Sequence, residues 1–170
     1  MPFFEVNRIP TVPPRRYTEA EFDELVTGVD GFPNLRRENC WFIREGGRDN
    51  EDCIHYSVGK LNEAWDAHEW RHRIEDAVAW CEAQGYEQVD AGSEEAVIDL
   101  WVTGRGNFAH ATKKYEGPFL SAGMLGLWVS FPRPGDTFTH RRFEILNTTY
   151  TRVGASLKKR LPVPHRGGTK

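Results

Sequence analysis

The 170-residue sequence predicts an α+β fold: one small domain with an antiparallel sheet and about three helices, ferredoxin-like in its layering. Three observations carry that expectation. Thr18-Glu19-Ala20-Glu21 is a capping box, in which the threonine oxygen accepts from the amide three residues on while the glutamate reaches back. Ala67, Trp70, Ile74, Ala77, Val78 and Cys81 share one side of a helix. Between and beyond these stretches lie short β-branched and aromatic runs bounded by Gly, Pro and Asn.

Residues 2–12 read as a short strand or extended arm, stopped by Pro13-Pro14. After the capping box, Phe22, Leu25, Val26 and Val29 recur at helical spacing, and Gly28 and Gly31 mark the end. Residues 39–45 and 53–61 are strand-like, and the glycine-containing run between them predicts a hairpin with a loose tip. Residues 63–84 form the clearest helix, closed by Gly85, with His68, His72, Glu75 and Ala79 opposite its apolar stripe. Residues 86–103 admit two readings. Their β-branched and aromatic content favours a hairpin, while Ser93 followed by Glu94 and Glu95 would suit the start of a helix.

Residues 125–131 predict a buried strand ended by Pro132 and Pro134. Phe143, Leu146, Tyr150, Val153 and Leu157 then suggest an amphipathic helix with Arg141, Arg142, Arg152, Lys159 and Arg160 on its other face. The low helix propensity of Asn147-Thr148-Thr149 works against it. The chain thus divides into an acidic α+β core over 1–132 and a basic arm over 133–170, helix first and extended tail after.

Composition narrows the function classes. No apolar run approaches the roughly 18 residues of a membrane span, and the N-terminus lacks a basic-then-apolar signal pattern. The expectation is a cytoplasmic protein, or a virion one if phage-encoded, with no membrane partner. Cys40, Cys53 and Cys81 are odd in number and lack zinc-like spacing, which favours reduced, buried thiols. The net charge of −3 conceals a polarity. Residues 133–170 hold nine basic and two acidic groups, a net of +7, and the other 132 residues hold 13 and 23, a net of −10. Such asymmetry points to an anionic partner for the basic segment, or to neutralisation within the chain.

His68-Glu69-Trp70-Arg71-His72 is an H-E-x-x-H motif on the clearest helix. Residues i and i+4 share a helix face, so two imidazoles can bind one zinc while the intervening glutamate acts on the metal-bound water. The motif resembles the active-site helix of HExxH zinc metallopeptidases whose third ligand is a downstream glutamate, and Glu94-Glu95-Ala96-Val97-Ile98-Asp99 is similar to that branch's second segment. The resemblance implies zinc as cofactor, His68, His72 and Glu95 as ligands, Glu69 as general base and Asp99 as the carboxylate that orients a ligand imidazole. The same residues also suit a solvated polar helix face.

A second pattern pairs His55-Tyr56-Ser57 with His110-Ala111-Thr112. It resembles two-histidine phosphoesterases, which implies His55 and His110 as acid and base across one phosphodiester. Phe138, Phe143 and Tyr150 among basic residues could stack on bases, although their spacing favours packing. The leading expectation is not catalytic and needs no cofactor. It is an accessory or structural subunit that docks into a larger assembly, a virion, multisubunit enzyme or ribonucleoprotein. The partner, a protein or a nucleic acid, would be held by Arg141, Arg142, Arg152, Lys158, Lys159 and Arg160.

Overall fold

A computed structural model describes residues 13–45, 53–59, 73–117, 120, 122–131 and 136–161. Along them run β1 (Arg15–Arg16), α1 (Glu19–Thr27), β2 (Trp41–Arg44), α2 (Cys53–Ser57), α3 (Ile74–Ala83), β3 (Tyr86–Val89), β4 (Ile98–Val102), β5 (Phe108–Lys114), β6 (Trp128–Ser130), β7 (Thr137–His140) and β8 (Arg152–Lys159). The strands form one antiparallel sheet in the order β1-β2-β7-β6-β5-β4-β8-β3. The fold is therefore α+β, with eight described strands and three described helices.

The capping box forms as its sequence requires. Glu21 N–H donates to Thr18 Oγ1 at 3.2 Å, and Thr18 N–H donates to Glu21 Oε1 at 2.9 Å. Helix α1 ends at Thr27, so Val29 lies past it and is 97% exposed instead of completing the apolar side. In α3, Ala77, Val78 and Cys81 are buried and Ile74 packs beside them, as the stripe predicts. Trp70 and the rest of 60–72 lie outside the described residues.

Three sequence expectations are corrected. Cys53–Ser57 is a helix, not the second strand of a hairpin. Ile54, Ser57 and Val58 are spaced for one helix face against β5, and Ser57 Oγ donates back to Cys53 O at 2.8 Å. Residues 86–89 and 98–102 are both strands, but they do not pair as a hairpin, because β8 lies between them. The amphipathic helix expected over 143–157 is a turn followed by β8. Asn147 Oδ1 accepts from the amides of Thr149 and Tyr150 at 2.9 and 2.7 Å, a side-chain turn that competes with helix. Strands β7 and β8 are interior to the sheet, so 137–159 belongs to the domain and is not an arm. Residues 162–170 lie outside the described residues.

The faces of the sheet are covered differently. On one, α2 and α3 bury Ile98, Leu100, Ala111, Ala155 and Leu157. On the other, α1 and the 141–150 loop cover Trp101, Phe138 and Val153. A ferredoxin-like layering would stack its helices on one face, whereas here they divide between two. Both neighbours of β4 bulge at one level, with Gly154 extra on β8 and Ala109 extra on β5. The bulge is why Val153 reaches the α1 side. It needs glycine at 154, where a Cβ would meet Val102 Cγ1 at 2.6 Å.

Candidate docking surface

Strand alternation puts a row of polar side chains on the α1 face. Ser156, Asp99, Thr112 and Ser130 are register partners across β8, β4, β5 and β6, and all four are fully buried. Buried polar atoms demand partners, and these have them. Ser156 Oγ donates to Asp99 Oδ1 at 2.7 Å and accepts from the Gly92 amide at 2.9 Å. Thr112 Oγ1 accepts from Trp101 Nε1 at 3.2 Å.

Ser130 lies between two imidazoles in a directed chain. His140 Nδ1 is 2.6 Å from the carbonyl oxygen of Arg141. A carbonyl only accepts, so Nδ1 carries the proton. Burial pushes His140 down to about 4 and, with repulsion from His140, pushes His110 down to about 3, so both rings are neutral near pH 7. The bare Nε2 of His140 therefore accepts from Ser130 Oγ–H at 2.7 Å, and Ser130 Oγ accepts from His110 Nε2–H at 3.2 Å. Tyr150 stacks on the His110 ring, 4.6 Å between centroids and 10° between planes. A serine beside a neutral imidazole has the makings of a nucleophile, but Ser130 is fully buried.

The row and its surroundings fasten the loop over 141–150. Arg142 makes a two-point ion pair with Asp99, Nε to Oδ2 and Nη2 to Oδ1 at 2.7 Å each, and its Nη1 donates to the Ser93 carbonyl at 2.9 Å. Glu144 accepts from the Arg141 amide and from Asn39 Nδ2 at 2.6 and 3.1 Å. Asn34 Nδ2 donates to Leu146 O and Asn147 Nδ2 to Gly31 O, both at 3.2 Å. Ile145 anchors the loop in the core.

A loop so tied still presents apolar side chains to solvent. Phe143 is 50% and Leu146 39% exposed, and they line a groove of about 480 Å³ with Gly126, Asn34 and Arg141. Leu125, next to Gly126, is 68% exposed. The Arg142 guanidinium lies 5.2 Å from the Phe143 ring centre and 4.6 Å from that of Trp128, so Phe143 is propped from beneath.

On the far side of the loop, a second groove of about 820 Å³ runs beside α1. Its walls include Tyr17, Phe32 and Tyr150, and Glu21, Glu24, Asp30 and Asp136 contribute carboxylates. Arg15 takes Glu21 at 2.9 and 3.0 Å and holds its carboxyl down at about 2. Asp30 stands at φ 57°, the one left-handed non-glycine position among the described residues. The hydroxyl of Tyr17 is buried without a hydrogen-bond partner, which costs on the order of 1–3 kcal/mol.

The sequence-predicted site residues scatter. Among the basic residues, Arg142 is spent on Asp99, Lys158 reaches Glu95 and Glu87 at 3.3 and 3.6 Å, and Arg160 donates to the Tyr86 carbonyl at 2.9 Å. Arg141, Arg152 and Lys159 are exposed. His55 packs on Trp80 on the face covered by α2 and α3, whereas His110 lies on the opposite face, so the structure does not bring the two histidines together. Residues 98–102 are strand and Glu95 sits in a turn with its carboxylate on Lys158; Asp99 is held by Arg142 and Ser156. His68, Glu69 and His72 lie outside the described residues. No group of three or more metal-ligating side chains converges among the described residues.

Sequence reasoning missed the exposed side chains of Leu125, Phe143 and Leu146 and the groove at Tyr17 and Asp30. The Asn-Thr-Thr run was the available signal that the 143–157 stripe is not a helix. No family model, no curated protein and no solved structure matches the chain.

Proposed function

We propose that the chain is a non-catalytic docking subunit that attaches to a protein partner through Leu125, Phe143 and Leu146, with Arg141 on the rim. One observation carries this reading: large apolar side chains stand exposed on a loop that the buried Asp99–Arg142 pair already holds in place. Contiguous exposed apolar surface marks interaction sites, and a pre-ordered loop binds without the cost of ordering itself. Arg141 beside the groove favours a partner whose apolar contact is flanked by carboxylates, which adds association rate and specificity more than affinity. A nucleic-acid partner is the weaker reading, because three of the six basic residues expected to hold it are engaged within the chain.

The test is site-specific photo-cross-linking in cells that produce the protein. A photoreactive residue at Leu146 should yield a discrete adduct with another protein, and one at Gln88, exposed on the β3 edge, should not. The Phe143→Ser variant should lose the adduct and bind the purified partner about 30-fold more weakly, the size of a single interface hot spot, with its denaturation midpoint near wild type. Equal labelling at 146 and 88, or an adduct indifferent to Phe143→Ser, overturns the reading.

A further inference from the structure

The two sides of the 141–150 loop differ in chemistry and meet at its crest. Leu146 lines the apolar groove on one side, and Asn147 lines the groove beside α1 on the other. On the first side Phe143 and Leu146 stand exposed, and the Arg141 guanidinium at the rim has no carboxylate partner among the described residues. On the second side Val29 is 97% exposed just past the end of α1. Glu24 and Asp30 line the same groove as Val29, and neither carboxylate is paired among the described residues. A single exposed valine is ordinary on a protein surface. This one stands between unpaired acids, next to an exposed apolar surface rimmed by an unpaired base. Two hydrogen bonds fix the halves to each other, Asn34 Nδ2 to Leu146 O and Asn147 Nδ2 to Gly31 O, both at 3.2 Å.

We infer that the partner at the proposed docking surface is a second copy of this chain. The inference rests on the docking reading above and names its occupant. That reading calls for an apolar contact flanked by carboxylates, and the turn after α1 presents one. A twofold contact joins a surface to itself, so what one half offers the other half must accept. With the axis near the loop crest, Val29 of each copy packs against Phe143 and Leu146 of the other. Arg141 of each copy faces the Glu24 and Asp30 carboxylates of the other. Every contact then forms twice, and both halves are held in place before the copies meet, which spares the cost of ordering them.

The experiment is sedimentation equilibrium on the full chain, with disulfide trapping as a second readout. A dimer should form with a dissociation constant on the order of micromolar and weaken as salt rises. Val29→Asp and Phe143→Ser should each weaken it about ten-fold or more, the size of an interface hot spot. Arg141→Glu should weaken it about as much, and adding Glu24→Lys with Asp30→Asn should restore most of the loss, because the charges are then exchanged. Val29 and Arg141 are exposed, so their variants should keep the wild-type denaturation midpoint. Under mild oxidation, a mixture of Val29→Cys and Leu146→Cys chains should give a cross-linked pair that neither variant gives alone. A chain that stays monomeric at about 100 μM, a dimer indifferent to Val29→Asp, or no cross-link in the mixture each overturns the inference. A monomeric chain whose Leu146 adduct in cells is a different protein overturns the second copy alone and leaves the docking reading standing.

Discussion

Beneath α2 and α3 the sheet presents Ile98, Leu100, Ala111, Ala155 and Leu157, while beneath the 141–150 loop it presents Ser156, Asp99, Thr112, Ser130 and two histidines. The difference follows from what lies above. A helix satisfies its own backbone and asks the sheet only for apolar contact. A loop has no ladder of its own, so its carbonyls and amides take side-chain partners. His140 takes the Arg141 carbonyl, Asn34 takes that of Leu146, and Glu144 takes the Arg141 amide. The polar face thus helps to tie down an irregular segment, through His140 and Asp99, as the proposed docking role requires.

The sharpest way to break this comparison is to cut each face at adjacent residues of β4. Asp99→Leu leaves the largely buried Arg142 cation without its partner, and such a break costs about 3–5 kcal/mol. Adding Arg142→Met removes the stranded charge and should recover most of that loss, since apolar replacements of a buried pair are commonly neutral or stabilising. Leu100→Ala on the helix side should cost about 2–5 kcal/mol with no partner substitution to rescue it. Urea denaturation measures all of them. If Asp99→Leu is near neutral, or the double variant is no better than the single, the loop is not held by the pair. If stability recovers in the double variant while partner binding does not, the pair is what orients Phe143.

A smaller effect tests how side chains are assigned to faces. The Gly154 bulge moves Val153 to the loop side beside Trp101. Gly154→Ala would drive a methyl into Val102 and should cost about 1–3 kcal/mol, the range for overpacking a filled site. Repeating the substitution in a Val102→Ala background should remove most of that cost. A cost unchanged in that background would mean that backbone conformation, not the contact with Val102, requires glycine.

Legibility in the sequence divides along the same line. Local signals read correctly: the Thr18–Glu21 box starts α1, and Ala77, Val78 and Cys81 face the core as their spacing demands. Segments 53–61 and 143–157 misled for opposite reasons. In the first, β-branched residues suggested a strand where packing on β5 makes a helix; in the second, a helical series of apolar residues spans a turn and a strand. The buried polar row was not legible, because Asp99, Ser130 and Ser156 alternate with apolar neighbours as solvent-facing residues do. What buries them is the loop, whose anchors (Asn34, Asn39, Asp99) come from distant parts of the chain. The proposed docking surface shares that fate, since Phe143 and Leu146 belong to the apolar series that suggested a helix and lie instead on a loop.

The gentlest probe of the polar face is pH. His110 and His140 are held neutral, at about 3 and about 4, by burial first, with mutual repulsion added at His110, against about 6.5 for an unfolded imidazole. Below pH 6.5 the unfolded chain therefore takes up protons that the folded chain refuses. Stability contributed by the neutral rings is complete above that pH and is lost progressively as pH falls toward the folded values. Each histidine adds a slope of about 1.4 kcal/mol per pH unit once well below 6.5. Urea midpoints taken between pH 7.5 and 5.5 should fall with acidity, in a range where most carboxylates are still ionised. Replacing His110 by Gln removes one titrating ring while keeping a donor for Ser130, and should roughly halve the histidine part of that slope. A wild-type profile that is flat over this interval would mean that His140 is already protonated in the folded chain. The hydrogen-bond direction through Ser130 would then reverse, and His140 could no longer accept from its hydroxyl.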